Sequence, residues 1–462
     1  MTGPIYLAAD IRRIEQAAGN VVPPLMERAG AAAADLAARI ASDQTKDVLI
    51  IAGPGNNGGD ARVVARLLQE RFFRVTVAEK SDQIPEKSWG LVVDGLFGIG
   101  LARPVEGDHA RLVDYANRQA CPVLALDIPS GVHADTGKVM GHAVRASHTI
   151  TFIALKPGLL TLDGPDHCGD LAVAELGLEV RDLLAPSAWV ADPSLFPLRK
   201  RPRNFHKGMA GSLGILGGAA GMTGAALLAG RAALKLGAGR IYLGLLDEKA
   251  VKVDFNTPEL MIRHADDVLG LDLDALVVGP GLGQGERAET LVGAALASDI
   301  PCVLDADALN LLAENQDLQK ACARRSAETL LTPHPMEAAR LLHSKGIQAD
   351  RVATALALSK TFNAHVVLKG NGSVLAARDG HWFINTSGNP GMASAGMGDV
   401  LAGMLGALLA QRYSGESALV LGTHLHGAAA DELVRSGVGP VGLAAGELID
   451  PARRLWNSWL PA

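Results

Sequence analysis

Three aspartates stand where a parallel sheet would gather them. Asp60 closes the turn GPGNNGGD (53–60) after the apolar run 48–52, Asp94 ends the run in VVDGLFGIG, and Asp127 lies in LALDIPSG with Ser130 three residues on. Ligand sites in open parallel sheets lie beyond the carboxyl ends of the strands, so all three carboxylates are expected on one edge. Like charges about 4 Å apart repel by about 4 kcal/mol at an effective dielectric near 20. Two arrangements relieve this. One is a bound cation with oxygen ligands from Asn57, Asp94 and Ser130; the other is a carboxyl that keeps its proton and works as acid or base. The plain alternative, that Asp60 and Asp94 only cap helices or turns, suits either residue alone better than the whole set.

A second set lies in the other half of the chain. The order Gly396-Met397-Gly398-Asp399 opens an apolar helix in GMGDVLAGMLGALLA. Backbone N–H groups at such a terminus stabilise negative charge developing on a transferred phosphoryl group. An aspartate there can take a proton from an attacking hydroxyl, or it can simply cap the helix. His334 stands between Pro333 and Pro335 at a strand-to-helix junction, with Pro335 suited to the first helical position. Lys369-Gly370-Asn371-Gly372-Ser373 joins two strands. Asn371-Gly372 is a hairpin signal by itself; the lysine and the backbone donors add a nucleotide contact.

Gly53, Gly55 and Gly58 also spell G-x-G-x-x-G, with Glu79 about twenty residues on, as a dinucleotide fingerprint requires. Gly53-Pro54-Gly55 makes the first turn unlike that fingerprint, and the second half offers no hydride-transfer partner, so a dehydrogenase ranks last. Gly58-Gly59 lets a ligand approach the backbone at a helix N-terminus, a ready anion site. GIGLARP (98–104) is a second glycine-bearing loop after a strand. Together they describe a site for a dinucleotide-sized ligand with acid–base groups near its reactive ring.

The elements that would hold these residues alternate as in α/β proteins. Strands are expected at 47–52, 74–79, 91–94, 122–127 and 149–154, and later at 212–216, 240–245, 275–278, 302–304, 329–331, 365–368 and 374–377. Helical spacing covers 62–71, and a long helical stretch, 8–40, must break at Pro23-Pro24. Four prolines and the basic cluster Arg199-Lys200-Arg201 with Arg203 mark 185–204 as the linker, its charges read as a solvated face. A chain of 462 residues is too long for one core, and its net charge of −6 shows no basic stripe for nucleic acid. The longest apolar span, 401–410, is about half a membrane helix. Cys121, Cys168, Cys302 and Cys322 form no C-x-x-C pair, which suits a reducing cytoplasm.

Taken together, LMERAG, NNGGD, DIPSG, HKG, GPG, DADALN, LTPHPMEAARL, KGNGS and GMGDVLAG make the chain resemble the NAD(P)H-hydrate repair family over nearly its whole length. In that family an epimerase is fused to an ADP-dependent dehydratase. The resemblance implies an α/β protein with a Rossmann-like three-layer αβα domain over 1–197 and a ribokinase-like α/β domain over 198–462. It implies that Asn56, Asn57, Gly58, Gly59 and Asp60, with Gly98, Ile99, Gly100, Leu101, Ala102, Arg103, Pro104 and Asp127, hold the hydrated nucleotide. Asn57, Asp94 and Ser130 would hold potassium. Ala225, Gly281, His334 and Asp399 would contact the S-hydrate, and Lys369, Gly370, Asn371, Gly372, Ser373 and Gly398 the ADP, with magnesium accompanying it. Where many relatives have GDG this chain has Gly59-Asp60-Ala61, and GMGD replaces GTGD.

On this reading Asp127 transfers the epimerase proton, with Lys156 as a second participant, and Asp399 is the base of the dehydratase. NADHX, NADPHX and ADP are the expected small-molecule partners, in a cytoplasmic homo-oligomer with no nucleic acid or membrane. The nearest rival is a ribokinase-like kinase of a vitamin alcohol, its first domain a binding module without chemistry.

Overall fold

The computed structural model describes residues 3–19, 21–41 and 47–461, and the chain divides into two compact units, Met1–Trp189 and Val190–Ala462. In the first unit β1 (Asp47–Ala52), β2 (Val75–Ala78), β3 (Trp89–Gly95), β4 (Val123–Leu126), β5 (His148–Phe152) and β6 (Asp170–Ala174) form one sheet in the order β2-β1-β3-β4-β5-β6. Every pairing in it is parallel. The near-continuous apolar runs of β1, β3 and β4 are those of strands covered on both faces. β6 is short and half-exposed, an opening aspartate followed by the apolar run Leu171-Ala172-Val173-Ala174, which the sequence reading passed over.

Helix Asn56–Glu70 begins six residues ahead of the expected 62. The glycine turn itself is its first turn, and close packing demands those glycines. A Cβ on Gly58 would stand 1.8 Å from the Gly53 carbonyl oxygen, and one on Gly53 would stand 1.8 Å from that of Leu96. The N-terminal stretch forms two helices, Ala8–Ala18 and Leu25–Ile40, parted at the prolines. The alanine-rich face of the second, with Ala29, Ala33 and Ala37 buried, packs closely on helix Asn56–Glu70.

β7 (Ala188–Val190) and a short 3-10 turn, Pro193–Leu195, give order to the expected linker. The second unit contains β8 (Ser212–Gly217), β9 (Arg240–Leu245), β10 (Met261–His264), β11 (Ala275–Val278), β12 (Cys302–Leu304), β13 (Thr329–Leu331), β14 (His365–Leu368), β15 (Ser373–Ala376) and β16 (Trp382–Asn385). They run in the order β10-β9-β8-β11-β12-β13-β14-β15-β16. Pairing is parallel as far as β14 and antiparallel through β15 and β16. Helix Met397–Ala410 is apolar all round and buried accordingly. It lies so close to helix Thr223–Lys235 that a Cβ on Gly403 would stand 2.1 Å from the Ala229 carbonyl oxygen. The basic cluster is exposed but held: Arg201 donates to Gln411 Oε1 at 2.6 Å, and Arg199 lies over the Tyr413 ring.

Candidate active sites

In the first unit a cavity of about 330 Å³ opens at the carboxyl ends of β1, β3 and β4. Asp127, one residue past β4, reaches it from a left-handed backbone conformation, φ 66°. Non-glycine residues seldom adopt that region, and such strain persists where surroundings fix it. Here the Asp127 N–H donates to Ile150 O at 2.7 Å. Its carboxylate receives Lys156 Nζ at 2.5 Å on Oδ1 and the Ile99 N–H at 3.2 Å on Oδ2. Lys156 is fully buried and also donates to Thr151 Oγ1 and the Phe152 carbonyl, each at 2.8 Å. An ammonium has three protons to give, so all of them are engaged.

Asp60 lines the same cavity and makes no hydrogen bond or ion pair through its carboxylate among the described residues. Burial pushes it up to about 8, and the charges of Asp127 and Glu15 add to the rise. It therefore holds a proton at neutral pH while Asp127 has a cation beside it. Of the expected nucleotide contacts, Asn56, Asn57, Asp60, Gly98, Ile99, Gly100, Leu101 and Asp127 line the cavity. Gly58 and Gly59 shape the turn beneath it, and Ala102, Arg103 and Pro104 lie outside the lining. Ile11, Arg12 and Glu15 also line it, from helix Ala8–Ala18. Sequence reading missed them because they sit far from any strand end.

Asp94 does not face this cavity with the other two carboxylates. It is 1% exposed, and both its oxygens are bonded to Ser130, from Oγ at 2.7 Å and from N at 2.8 Å. Burial pushes it up to about 6, against the hydrogen bonds from Ser130 and Leu96. Asn57 is buried too, and neither its carboxamide oxygen nor its nitrogen has a hydrogen-bond partner among the described residues. Leaving such atoms unsatisfied is costly. An orphaned carboxamide oxygen, with a buried carboxylate and hydroxyl at Asp94 and Ser130, is a donor chemistry that fits a cation.

In the second unit four successive parallel strands deliver the expected residues together. β11 is followed by the turn 279–283, β12 by Asp305, β13 by Thr332-Pro333-His334 and β14 by Lys369. Gly281 has φ 59°, and a Cβ there would stand 3.2 Å from that of Ala225, so these two are neighbours. The Gly283 N–H donates to Asp307 at 2.8 Å, and the Lys369 N–H to Pro333 O at 2.9 Å. Lys369 Nζ donates to Asp305 at 3.0 Å. Gly396, at φ 89°, caps helix Met397–Ala410 and puts Asp399 in its first turn. Burial pushes Asp399 up to about 6, with Asp305 raising it and Lys369 opposing.

His334 caps helix Pro335–Leu341. Its Nδ1 accepts from the N–H groups of Met336 at 3.1 Å and Glu337 at 3.3 Å, which leaves the proton on Nε2. Burial, with Lys369 and Arg340, keeps the ring below its ordinary pKa. Residues 369–373 form the turn between β14 and β15. The buried Arg351 guanidinium clamps that turn, donating to the carbonyls of Leu368 at 3.0 Å, Lys369 at 3.1 Å and Asn371. Asp305 and Arg351 were not singled out from sequence. Asp305 had a signal, an acid directly after a strand in DADALN; Arg351, in a helix of ordinary composition, had none.

Each unit is thus a parallel-stranded α/β body with acids and glycine turns at its strand ends, the class of two-domain enzymes that act on nucleotides. Residues 213–450 match the family described as NAD(P)H-hydrate dehydratase, and residues 23–89 and 76–158 match the YjeF-related protein N-terminus. The chain is 37% identical to the bifunctional NAD(P)H-hydrate repair enzyme Nnr of Coxiella burnetii, over 98% of this chain and 99% of that one. It is 38% identical to the Escherichia coli enzyme of the same name, over 98% and 94%. The chain belongs to the bifunctional NAD(P)H-hydrate repair enzymes, with a Rossmann-like first unit and a ribokinase-like second. Among solved structures, a Bacillus subtilis ADP/ATP-dependent NAD(P)H-hydrate dehydratase co-crystallised with ATP and Mg2+ is 30% identical, covering 56% of this chain and 94% of that one at a TM-score of 0.49. A Streptococcus mutans protein, SMU.573, at 24% identity and a TM-score of 0.51, covers 58% and 99%. Among the described residues no helix is long and apolar enough to cross a membrane.

Proposed function

We propose that the chain repairs hydrated nicotinamide cofactors. Residues 1–197 interconvert the R and S epimers of NADHX and NADPHX, and residues 198–462 dehydrate the S epimer to NAD(P)H, converting ADP to AMP and phosphate. Family membership along the whole chain supports this over a vitamin kinase with an inert first domain. The observation that carries the reading is the pairing of two different acid sites in one chain: Asp127 on a buried lysine, and Asp399 at a glycine-opened helix.

In the first domain Asp127 takes the C6 hydroxyl proton as the C6–N1 bond opens to the aldehyde and N1 is protonated; reclosure on the other face of C6, with the protons returned, gives the other epimer. Lys156, its protons all engaged, acts by holding Asp127. Residues 56–60 and 98–104 take the nucleotide. Asn57, Asp94 and Ser130 hold potassium, which would balance the buried Asp94 charge and satisfy the Asn57 oxygen.

In the second domain Ala225, Gly281 and His334 bind the S-hydrate, and Lys369 to Ser373 with Gly398 bind ADP, which arrives with magnesium. Asp399 takes the hydroxyl proton as that oxygen attacks the β-phosphorus and AMP leaves. The Gly396–Gly398 backbone stabilises the transferring group. Phosphate then departs from C6 with loss of the C5 proton, restoring the dihydropyridine ring. We place the enzyme in the cytoplasm as a homo-oligomer.

The test supplies pure R and S hydrates separately, with ADP or ATP, and follows the near-ultraviolet absorbance of reduced nicotinamide. Recovery from S with ADP, and from R faster than spontaneous epimerisation allows, supports the reading. Nucleotide consumption without that absorbance, on a vitamin alcohol instead, would favour the kinase.

A further inference from the structure

Asp305 has no role in the mechanism above, yet it is the acid most firmly engaged at the strand ends of the second unit. It is 1% exposed, and its Oδ1 accepts both Lys369 Nζ at 3.0 Å and Thr332 Oγ1 at 2.7 Å. Its own N–H donates to Val278 O at 3.0 Å, which fixes the backbone beneath. The pair leans on the glycine turn. A Cβ on Gly398 would stand 3.3 Å from Lys369 Nζ and 3.6 Å from Asp305 Oδ2, and Asp399 is the next residue.

Lys369 has a choice of anions. Asp305, Glu337 and Asp399 all act on it, and together they raise it even though burial, the largest single influence, lowers it. A lysine drawn to Asp399 would neutralise the group that must accept a proton. We propose that Asp305 is a positioning residue for phosphoryl transfer: it holds the Lys369 ammonium at the glycine turn and keeps it from pairing with Asp399. This rests on Asp399 as base and Lys369 as an ADP contact. A side chain at 398 would crowd the Lys369 ammonium, so the glycine leaves the lysine its place. The charged groups acting on Asp399 are Asp305, Asp307 and Lys369. Lys369 in turn acts on His334 and on the buried His426 of helix Gly415–Arg435. From helix Thr223–Lys235 the apolar Leu228 packs nearest to Gly396.

The test uses the full chain, S-NADHX and ADP, with kcat and KM measured across pH for wild type, Asp305→Asn and Asp305→Glu. In Asp305→Asn, kcat falls by about 100-fold, the effect of misplacing a reacting group by an ångström, while epimerisation is kept. The acid limb of kcat/KM moves to lower pH, because Asp399 loses a like charge and gains Lys369. Titration of the nucleotide is common to all variants and cancels. Asp305→Glu restores the charge and returns the limb toward its wild-type position. Wild-type kcat with an unmoved limb in Asp305→Asn, or a limb that moves up, overturns the proposal. Should that variant fail to fold, Thr332→Val removes one bond to Asp305: a several-fold loss in kcat supports the role, and an unchanged kcat overturns it. A wild type without ADP-dependent dehydration defeats the functional reading itself.

Discussion

The two sites use the same pair of residue types in opposite ways. In the first unit the buried lysine goes to the aspartate proposed as the proton carrier, Lys156 to Asp127 at 2.5 Å. In the second it goes to a different acid, Lys369 to Asp305 at 3.0 Å, and Asp399 is pushed up to about 6. The difference follows what each site must handle. A site that opens and recloses a ring, returning every proton it takes, can keep its carboxylate matched by a cation. A site that receives phosphate needs its cation held where the nucleotide arrives, by an acid other than the base, so that the base is not quenched. On the proposed roles, the route of the lysine, more than the presence of the aspartate, is what separates the two chemistries.

The contrast can be broken most severely at Asp399. Asp399→Asn should lower ADP-dependent dehydration by about 10²- to 10⁴-fold, the usual worth of a general base, while R-to-S conversion continues. Full dehydration activity in that variant would remove Asp399 from its role. Lys156→Met should come next, because it strands a buried carboxylate: a loss of about 3–5 kcal/mol in unfolding free energy, as for any buried pair cut at one end, together with lost epimerisation. Denaturant unfolding checks the first and the R-hydrate assay the second. Unchanged stability would mean that the Lys156 bond does not hold Asp127.

The pH profile sharpens the comparison. As the proposed base, Asp399 would accept a proton only when ionised, so dehydration should be present above its pKa of about 6 and decline as pH falls through it. A kcat/KM profile flat down to pH 5 would contradict that environment. The smallest effect is expected from potassium. The ion should raise the melting temperature by mass action, a saturable gain that lithium does not match, and Asn57→Ala should abolish the difference. An equal response to both ions, or a gain that survives Asn57→Ala, would count against the cation site.

Much of this was legible in the sequence because strand ends are legible. The apolar runs of β1, β3, β4, β8, β11 and β12 fixed where Asp60, Asp94, Asp127 and the glycine turns would emerge. What sequence could not give was the direction in which each acid at a strand end points. Asp94 turns inward to Ser130, and nothing in VVDG distinguishes that from an outward carboxylate. Two edge strands were missed because they are short and half-exposed: β10 has only two apolar residues before Arg263 and His264, and β6 only the alanine-rich run 171–174 after its aspartate. Arg12 and Glu15 come from an N-terminal helix whose position over the cavity is a matter of tertiary packing. Arg351 clamps a turn some twenty residues away through backbone carbonyls, which sequence patterns do not record.

The central claim is that one chain carries two separable acid sites, and complementation tests it most directly. Pure R-NADHX with excess ADP would be given to Asp127→Asn alone, to Asp399→Asn alone, and to an equal mixture of both. The account predicts recovery of NADH from Asp127→Asn no faster than spontaneous epimerisation, almost none from Asp399→Asn, and a mixture approaching the wild type. A mixture no better than its parts, or either variant alone matching the wild type, would contradict it.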